Sequence, residues 1–493
     1  TIQTLRINLI AMFLKKRPLK NKTRFTSLKY ALISGIGIGL IGGGPVLAQN
    51  TQFDQKIMQA LSNFEPSKTI NPPSSAIQQD TFSLAEAIEI GIATNPEYGI
   101  LSSNKRATDK ELEQARSLYR PSLDLSADGG VEFTESTEAS SVNDDGETLG
   151  RYDTSLTLTQ MLYDGGETFR ENQRQKARVL SATNRRAEGA ELIGLSVAEF
   201  YLEILRQREL LDLAEQNVQT HRDIFSDVRE NAELGNATQA DVVQIEARLE
   251  EAQASRNSIR RDLEVAQSNF KREVGARAYG LIKPQPPVGE LSRNVEEEVR
   301  RALNGSPTLS IFEADIEVAR EEFEGSKSSL YPEFDLQLNA RANEDVGGIQ
   351  GDEQSAAALV VMNWNLYRGG EDTARIQEFK YRYSRAKEEY AEAARQVENE
   401  VRNTWADYQA AQRRMTNFER QARANRQLVE AYKDQFFANR RTLLDVLDAQ
   451  NEFFVSSSSV INEKYLGSFS VYRILASRGE LLSTLNVPVP GRI

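Results

Sequence analysis

Between Pro121 and Gly129, apolar Leu123, Leu125 and Ala127 alternate with polar Ser122, Asp124, Ser126 and Asp128. A period of two is that of a strand with one apolar face. Phe334, Leu336, Leu338, Ala340 and Ala342 repeat the pattern against Glu333, Asp335, Gln337, Asn339 and Arg341, and the chain returns through Tyr152 to Tyr163 and Ala356 to Tyr367. Four strands are therefore predicted, over residues 121–135, 151–164, 332–343 and 355–368, each long enough to cross an outer-membrane barrel wall at a tilt. Tyr152, Tyr163, Tyr331, Trp364 and Tyr367 lie near the strand ends, where aromatic rings suit the lipid headgroup level. The acidic connections Glu135 to Glu147 and Asn343 to Glu353 read as flexible external loops, and their spacing fits no regular calcium loop.

After Gly166 and Gly370 the period lengthens. Ile193, Val197, Phe200, Ile204, Leu211, Ala214, Val218, His221, Phe225, Val228 and Ala232 follow alternating steps of three and four, a 3.5-residue repeat that implies helices supercoiled left-handedly through a narrow seam. Val397, Val401, Thr404, Tyr408, Met415, Phe418, Ala422, Asn425, Val429, Tyr432 and Phe436 form the matching set. Each helix runs about 69 residues before its turn, roughly 100 Å at the usual rise. Val242, Ile245, Leu249, Ala252, Ile259, Leu263, Ala266 and Phe270 continue the seam on a returning helix. His221 and Asn425 share one seam position, which reads as a polar register-setting site rather than a ligand or catalyst.

These patterns occur twice. Asn95-Pro96 and Ser306-Pro307 stand 211 residues apart, as do Pro121 and Pro332; the Leu-Tyr-x-Gly-Gly stretches ending at Gly166 and Gly370 stand 204 apart, as do Asp241-Val242 and Asp445-Val446. The seven-residue change falls in a loop, where length is tolerated, so the chain is two copies of one unit. The first copy is placed at 81–282 with its coiled-coil hairpin at 166–274, and the second at 294–483 with its hairpin at 370–478. Residues 283–293, rich in Pro, link them as part of a belt around the middle, and 484–493 form a tail.

Composition narrows the chemistry. With no Cys and one His, thiolate nucleophiles, disulfides, zinc–thiolate sites and an N-terminal lipid anchor have no residues to build them. No Ser, Lys, Tyr or carboxylate stands in a recognisable catalytic motif, so no enzyme activity, cofactor or metal is expected. The first 48 residues carry eight Lys or Arg and no acid, with an apolar stretch from Ala31 to Ile41 broken by Gly35, Gly37 and Gly39. This is expected to be an export signal cut after Ala48 rather than an inner-membrane anchor. Residues 49–80, with Pro66, Pro72 and Pro73, read as a flexible lead-in. The net charge of −12 becomes −20 without the signal, from 52 basic against 72 acidic side chains, and nucleic-acid binding is not expected.

Four strands cannot close a barrel, and open edges in lipid would leave backbone groups unpaired at a cost of several kcal/mol each. Chains must share the barrel. Three copies give twelve strands around an aqueous lumen, whereas two would give a barrel filled with side chains. Taken together, the expected fold is mainly α with a β-barrel: long antiparallel coiled-coil helices forming a trimeric α-barrel tunnel, capped by a shared transmembrane barrel.

The ordered set of features resembles the TolC family of outer-membrane channel-tunnels over nearly all of the chain after residue 48. It comprises the tandem repeat, Asn95-Pro96 and Ser306-Pro307, both Gly-Gly strand exits, the tip Arg441-Thr442-Leu443-Leu444-Asp445-Val446-Leu447-Asp448-Ala449 and the terminal Leu475-Ala476-Ser477-Arg478-Gly479-Glu480-Leu481. The resemblance implies a homotrimeric exit duct in the outer membrane, extending into the periplasm. Its implied partners are outer-membrane lipid, a periplasmic adaptor and an inner-membrane transporter, either ABC-type or proton-driven. A periplasmic coiled-coil adaptor is the alternative reading, and protein secretion and drug efflux both remain open. Asp445 and Asp448, three apart on one helical face, match the family's acidic gate, while acids in a first helical turn are also ordinary helix caps. Arg441 and Asp241 match its constriction links, but Phe436 stands where the family has Tyr, so that Arg440 is left as a substitute contact. Adaptor docking is expected at the hairpin tips, through Gly235, Asn236, Asn439 and Thr442, with Gly235 and Asn439 suited to left-handed turns.

Overall fold

The computed structural model describes residues 81–135, 148–278, 280–438 and 440–488. The expected export signal, the lead-in, most of the first external loop, Asn439 and the end of the tail lie outside the described residues.

Both repeats are built from the same parts. In the first, β1 (Thr81–Phe82) leads into α1 (Leu84–Thr94) and α2 (Pro96–Ser117), then β2 (Ser122–Phe133), β3 (Thr148–Asp164), α3 (Glu167–Glu233) and α4 (Gln239–Val274). β4 (Gly280–Leu281) closes the first repeat, and the second runs through α5 (Val295–Gly305), α6 (Pro307–Gly325), β5 (Glu333–Glu344), β6 (Asp352–Asn363), α7 (Glu371–Phe437), α8 (Leu443–Ser477) and the short α9 (Leu481–Thr484). The bounds of α1, β2, α3 and their counterparts differ by the 211- and 204-residue offsets seen in the sequence. The change of offset falls between β5 and β6, in the loop at 345–351.

Local chemistry sets the element ends. Asn95 Oδ1 accepts from the Glu97 amide at 2.9 Å, ahead of Pro96 at the first helical position, where a missing N–H costs nothing. Ser83 and Glu86 close a reciprocal capping box on α1. Gly165 and Gly166 at the exit from β3, and Gly369 and Gly370 after β6, all have positive φ, which turns each strand sharply into its long helix.

The four long strands form one antiparallel sheet in the order β2-β3-β5-β6. Register places Leu125, Leu156, Ala340 and Ala356 in one row and Leu123, Leu158, Leu338 and Ala358 in the next, so one face is apolar across these rows. The opposite face is mostly polar along β2, β3 and β5, with Ala357, Leu359 and Val361 on it in β6, and it is knitted together. Ser126 and Ser155 hydroxyls lie 2.7 Å apart, Asn339 Nδ2 donates to Thr157 Oγ1 at 2.9 Å, and Arg341 Nε donates to Asp153 Oδ1 at 2.9 Å. Leu123, Leu125, Val131, Phe133, Val360 and Met362 on the apolar face are exposed in the single chain. No helix of the described residues is long and apolar enough to cross a membrane.

Two expectations need correcting. β6 ends at Asn363 rather than Arg368, because its partner β5 begins only at Glu333, paired with Asn363, after Pro332 and a 3-10 turn at Ser328–Leu330. Trp364 Nε1 instead donates to the Leu330 carbonyl at 3.3 Å. The second external loop is also not loose. It spans 345–351 and is closed by the Asp345 amide on Gly351 O at 3.1 Å and the Gly351 amide on Asp345 Oδ1 at 2.9 Å.

Apolar packing is concentrated at two levels. At the middle, Ile88, Ile92, Val197, Tyr201, Ile204, Phe270, Tyr472 and Leu475 bury one another, where β1 and β4 pair in parallel. The Tyr201 hydroxyl lies 2.7 Å from Phe82 O and 2.6 Å from Ile282 O, and burial pushes its pKa up. Near the hairpin turns, Ile224, Val228, Ile245, Leu443, Val446 and Leu447 form a second cluster. His221 and Asn425 both lie buried in the helical seams. His221 Nδ1 is 2.9 Å from Asn217 O, and Asn425 Nδ2 donates to Ser456 Oγ at 3.3 Å.

Candidate functional site

The hairpin ends are where the sequence placed the gate, and they are built alike. At the first, Gly235 has φ +78° and the Asn236 amide donates back to Asn231 O at 2.8 Å. At the second, the Arg440 amide donates to Gln435 O at 2.8 Å, the equivalent bond 204 residues on. Both close the last turn of a helix in the manner of a Schellman motif.

The next helix starts identically in each hairpin. Thr238 Oγ1 accepts the Asp241 amide at 3.2 Å, while Asp241 Oδ2 receives the Thr238 amide at 3.0 Å and its hydroxyl at 2.7 Å. Thr442 and Asp445 reproduce this, with 3.3 Å, 3.2 Å and 2.8 Å in the same roles. Such boxes satisfy amides that a helix start leaves open. The Thr-x-x-Asp spacing was readable in the sequence. The Thr442 hydroxyl and amide, with Arg441 beside them, hold the Asp445 carboxyl below its ordinary range. Asp445 is thus ionised and engaged by its own turn.

The remaining candidates separate. Asp448 lies one turn on from Asp445 and is well exposed, with Arg248 Nη2 of α4 at 3.7 Å from its Oδ1. Within one chain Arg441 does not reach Asp241. Its guanidinium sits 3.9 Å above the Tyr432 ring centroid, its Nε donates to Gln435 Oε1 at 3.1 Å, and its Nη1 is 3.6 Å from Asp445 Oδ1. Phe436 packs against the tip cluster and meets Phe437 edge-on at 5.4 Å. The Arg440 side chain is exposed. Arg248, Tyr432 and Gln435 were missed in the sequence. Arg248 follows Asp241 by seven residues, the heptad step that keeps it on the same face, and this was the available signal.

Away from the tips, two features stay unfinished in a single chain. β2 and β6 each expose one edge of the sheet. Among the described residues, helix α6 packs extensively against both α3 and α7, whereas α2 packs extensively only against α3. Ile311 of α6 is 3% exposed, but its equivalent on α2, Ile100, is 67% exposed.

Comparison with known proteins gives a coherent picture. The family model described as outer membrane efflux protein matches residues 101–276 and 299–466. Outer membrane efflux protein BepC of Brucella suis is 23% identical over 378 residues, covering 76% of this chain and 80% of its own length. Alkaline protease secretion protein AprF of Pseudomonas aeruginosa is also 23% identical, over 405 residues, covering 79% and 83%. Among solved structures, the outer membrane protein VceC of Vibrio cholerae superposes with a TM-score of 0.70 at 17% identity, covering 80% of this chain and 96% of that one.

Proposed function

This chain belongs to the outer membrane efflux protein family, and from that premise we propose that three copies close into one duct whose periplasmic mouth is gated by Asp445 and Asp448. The chain is an outer-membrane channel for efflux or type I secretion and works by transport, without enzymatic chemistry. Membership sets aside the reading of the chain as a periplasmic adaptor.

The observation that carries the assembly is the unfinished sheet. The sheet β2-β3-β5-β6 has one largely apolar face and, along β2, β3 and β5, a mostly polar one, and its two edges are free. In a bilayer such edges find partners only in another copy, with β6 of one chain against β2 of the next. Three sheets of four strands then enclose a lumen lined by Ser126, Asp153, Asn339 and Arg341.

The long helices would extend this duct into the periplasm and carry the two tips to an adaptor and, through it, to an inner-membrane transporter. Gly235, Asn236, Asn439 and Thr442 are the docking positions. At the mouth, three copies would bring six carboxylates from Asp445 and Asp448 round the axis. Arg441 and Asp241 would link neighbouring tips only if Arg441 leaves Tyr432, since Phe436 offers no hydroxyl in place of that contact; Arg440, exposed beside it, is the substitute link.

Trimers reconstituted in planar bilayers test this reading. Small cation-selective conductance is expected, blocked by multivalent cations from the tip side, and replacing both Asp445 and Asp448 with Ala should remove the block. Unchanged block would leave these acids as helix caps. Deleting the gene and comparing secreted proteins with drug susceptibility separates protein export from solute efflux.

A further inference from the structure

The two acids of the proposed mouth have different surroundings. Asp445 Oδ2 already accepts the Thr442 amide and hydroxyl, and its Oδ1 faces Arg441 of the same turn. Asp448 has no such partners on its own helix. Among the described residues, the cation within ion-pairing distance of Asp448 is Arg248, on the other hairpin, 3.7 Å away. Arg248 is itself aimed by Glu251, whose Oε2 accepts from its Nη1 at 2.9 Å.

The repeat shows that this pairing is not a by-product of the shared hairpin design. The position equivalent to Asp448 in the first repeat is Gln244, and the position equivalent to Arg248 in the second is Glu452. The cation and its acid therefore occur once per chain, across the line where α4 meets α8. A second contact joins α8 to α3, with Gln450 Nε2 donating to Asn217 Oδ1 at 3.0 Å. Gln450 is buried, which fixes the turn of α8 that presents Asp448.

We propose that Arg248 is a specificity-determining residue of the channel mouth: it is the counter-ion of Asp448 and sets how strongly the mouth holds cations. This rests on the gate reading above. An exposed pair at this separation adds little to folding stability, so its removal leaves the hairpins intact and changes the field at the mouth. With Arg248 in place, each Asp448 presents a partly neutralised charge to a passing ion. Without it, Asp448 of each chain loses its nearby cation and Glu251 its partner, and attraction for a trivalent cation rises steeply because it scales with the product of charges.

The test is block of full-length trimers in planar bilayers by lanthanum ion added on the tip side at low ionic strength, where screening is weak. Arg248→Gln should lower the half-blocking concentration about tenfold, and Arg248→Lys should stay near the unmodified channel. Asp448→Asn should raise it, and Arg248→Gln added to Asp448→Asn should change nothing further. The proposal fails if Arg248→Gln leaves block unchanged, or if it tightens block as much in the Asp448→Asn background, which would mark a diffuse charge effect. The gate reading fails separately if Asp445→Asn, Asp448→Asn and their combination all leave block unaltered.

Discussion

Helices α3 and α7 have the same length and the same place in their repeats, yet they differ in how far they are covered. Buried positions run along the whole of α3, from Thr168 to Val228, whereas in α7 they thin to Ala386, Ala393, Val397, Val401, Thr404, Trp405, Ala411 and Asn425. Both helices carry the same seam pattern, so the difference lies in their neighbours. α3 stands between α2 and α6, and α7 has α6 on one side only. Ile311 and Ile100 report the same asymmetry from the other partner. In the proposed trimer, what α6 does for α3 and α7 inside the chain, α2 would do for α7 of a neighbouring copy.

The largest effect should come from the exposed member of that pair. Ile100→Asp should abolish trimers in mild detergent, measured by mass, because a carboxylate cannot be buried there unpaired. The helical content of the chain should survive. Ile311→Ala should instead destabilise the single chain itself, by about 2–5 kcal/mol, seen as a lower denaturation midpoint.

A comparison at the middle of the molecule sharpens the point that equivalent sites need not be built alike. Arg478 Nη1 and Glu298 Oε2 lie 3.1 Å apart, with both side chains almost fully buried. Their counterparts in the first repeat are Val274 and Ala87, equally buried. Glu298→Ala alone should cost about 1.5–3 kcal/mol, since it takes from Arg478 its buried carboxylate and leaves it only Glu480 and the Glu290 carbonyl. Glu298→Ala with Arg478→Val installs the first repeat's pair and should recover most of the loss in chemical denaturation.

The two caps should behave as equals. Thr238→Ala and Thr442→Ala should each cost about 1 kcal/mol, and thermal melts of the two variants should agree. In the bilayer they should part if the proposed gate holds, because Thr442→Ala frees Asp445, the proposed gate carboxyl, whereas Thr238→Ala frees Asp241. Smallest of all is the seam position occupied by His221 and Asn425. Burial holds the His221 pKa below its ordinary value, partly offset by the Asn217 carbonyl. The unfolded chain therefore takes up the proton first. Stability from the neutral ring is complete above about pH 6.5 and falls as pH drops below it. His221→Asn should remove that share of the acid sensitivity in melts between neutral and mildly acidic pH.

Much of the fold was legible because the duplication makes each pattern testable against its copy. The strand faces, the helix seams and the offsets recur in the structure. That an acid such as Asp445 caps a first helical turn was legible too, since capping is local chemistry, but its partner Thr442 and the matching Thr238–Asp241 box were not singled out. What escaped depends on segments brought together from far apart. Arg248 and Asp448 are 200 residues distant in sequence, and nothing in either hairpin alone announces their meeting. The place of Arg441 in the single chain, over Tyr432 nine residues back, escaped as well, because it depends on how the closing turn points the side chain at its own helix. β6 was drawn too long because the Trp364 to Tyr367 stretch continues the strand-like composition where no partner strand runs beside it.

The claim that another copy completes α7 is open to one direct measurement. Inside the chain, Asn184 Nδ2 of α3 donates to Ser310 O of α6 at 2.8 Å. The equivalent positions are Glu388 on α7 and Gly99 on α2. The chain has no Cys, so Gly99→Cys combined with Glu388→Cys gives the protein its only thiols. Oxidation of the membrane-assembled double variant should yield covalent dimers and trimers on a denaturing gel, ending at the trimer. Covalent species beyond the trimer, or chains that remain monomeric although both thiols are consumed, would contradict a ring of three closed by α2 against α7.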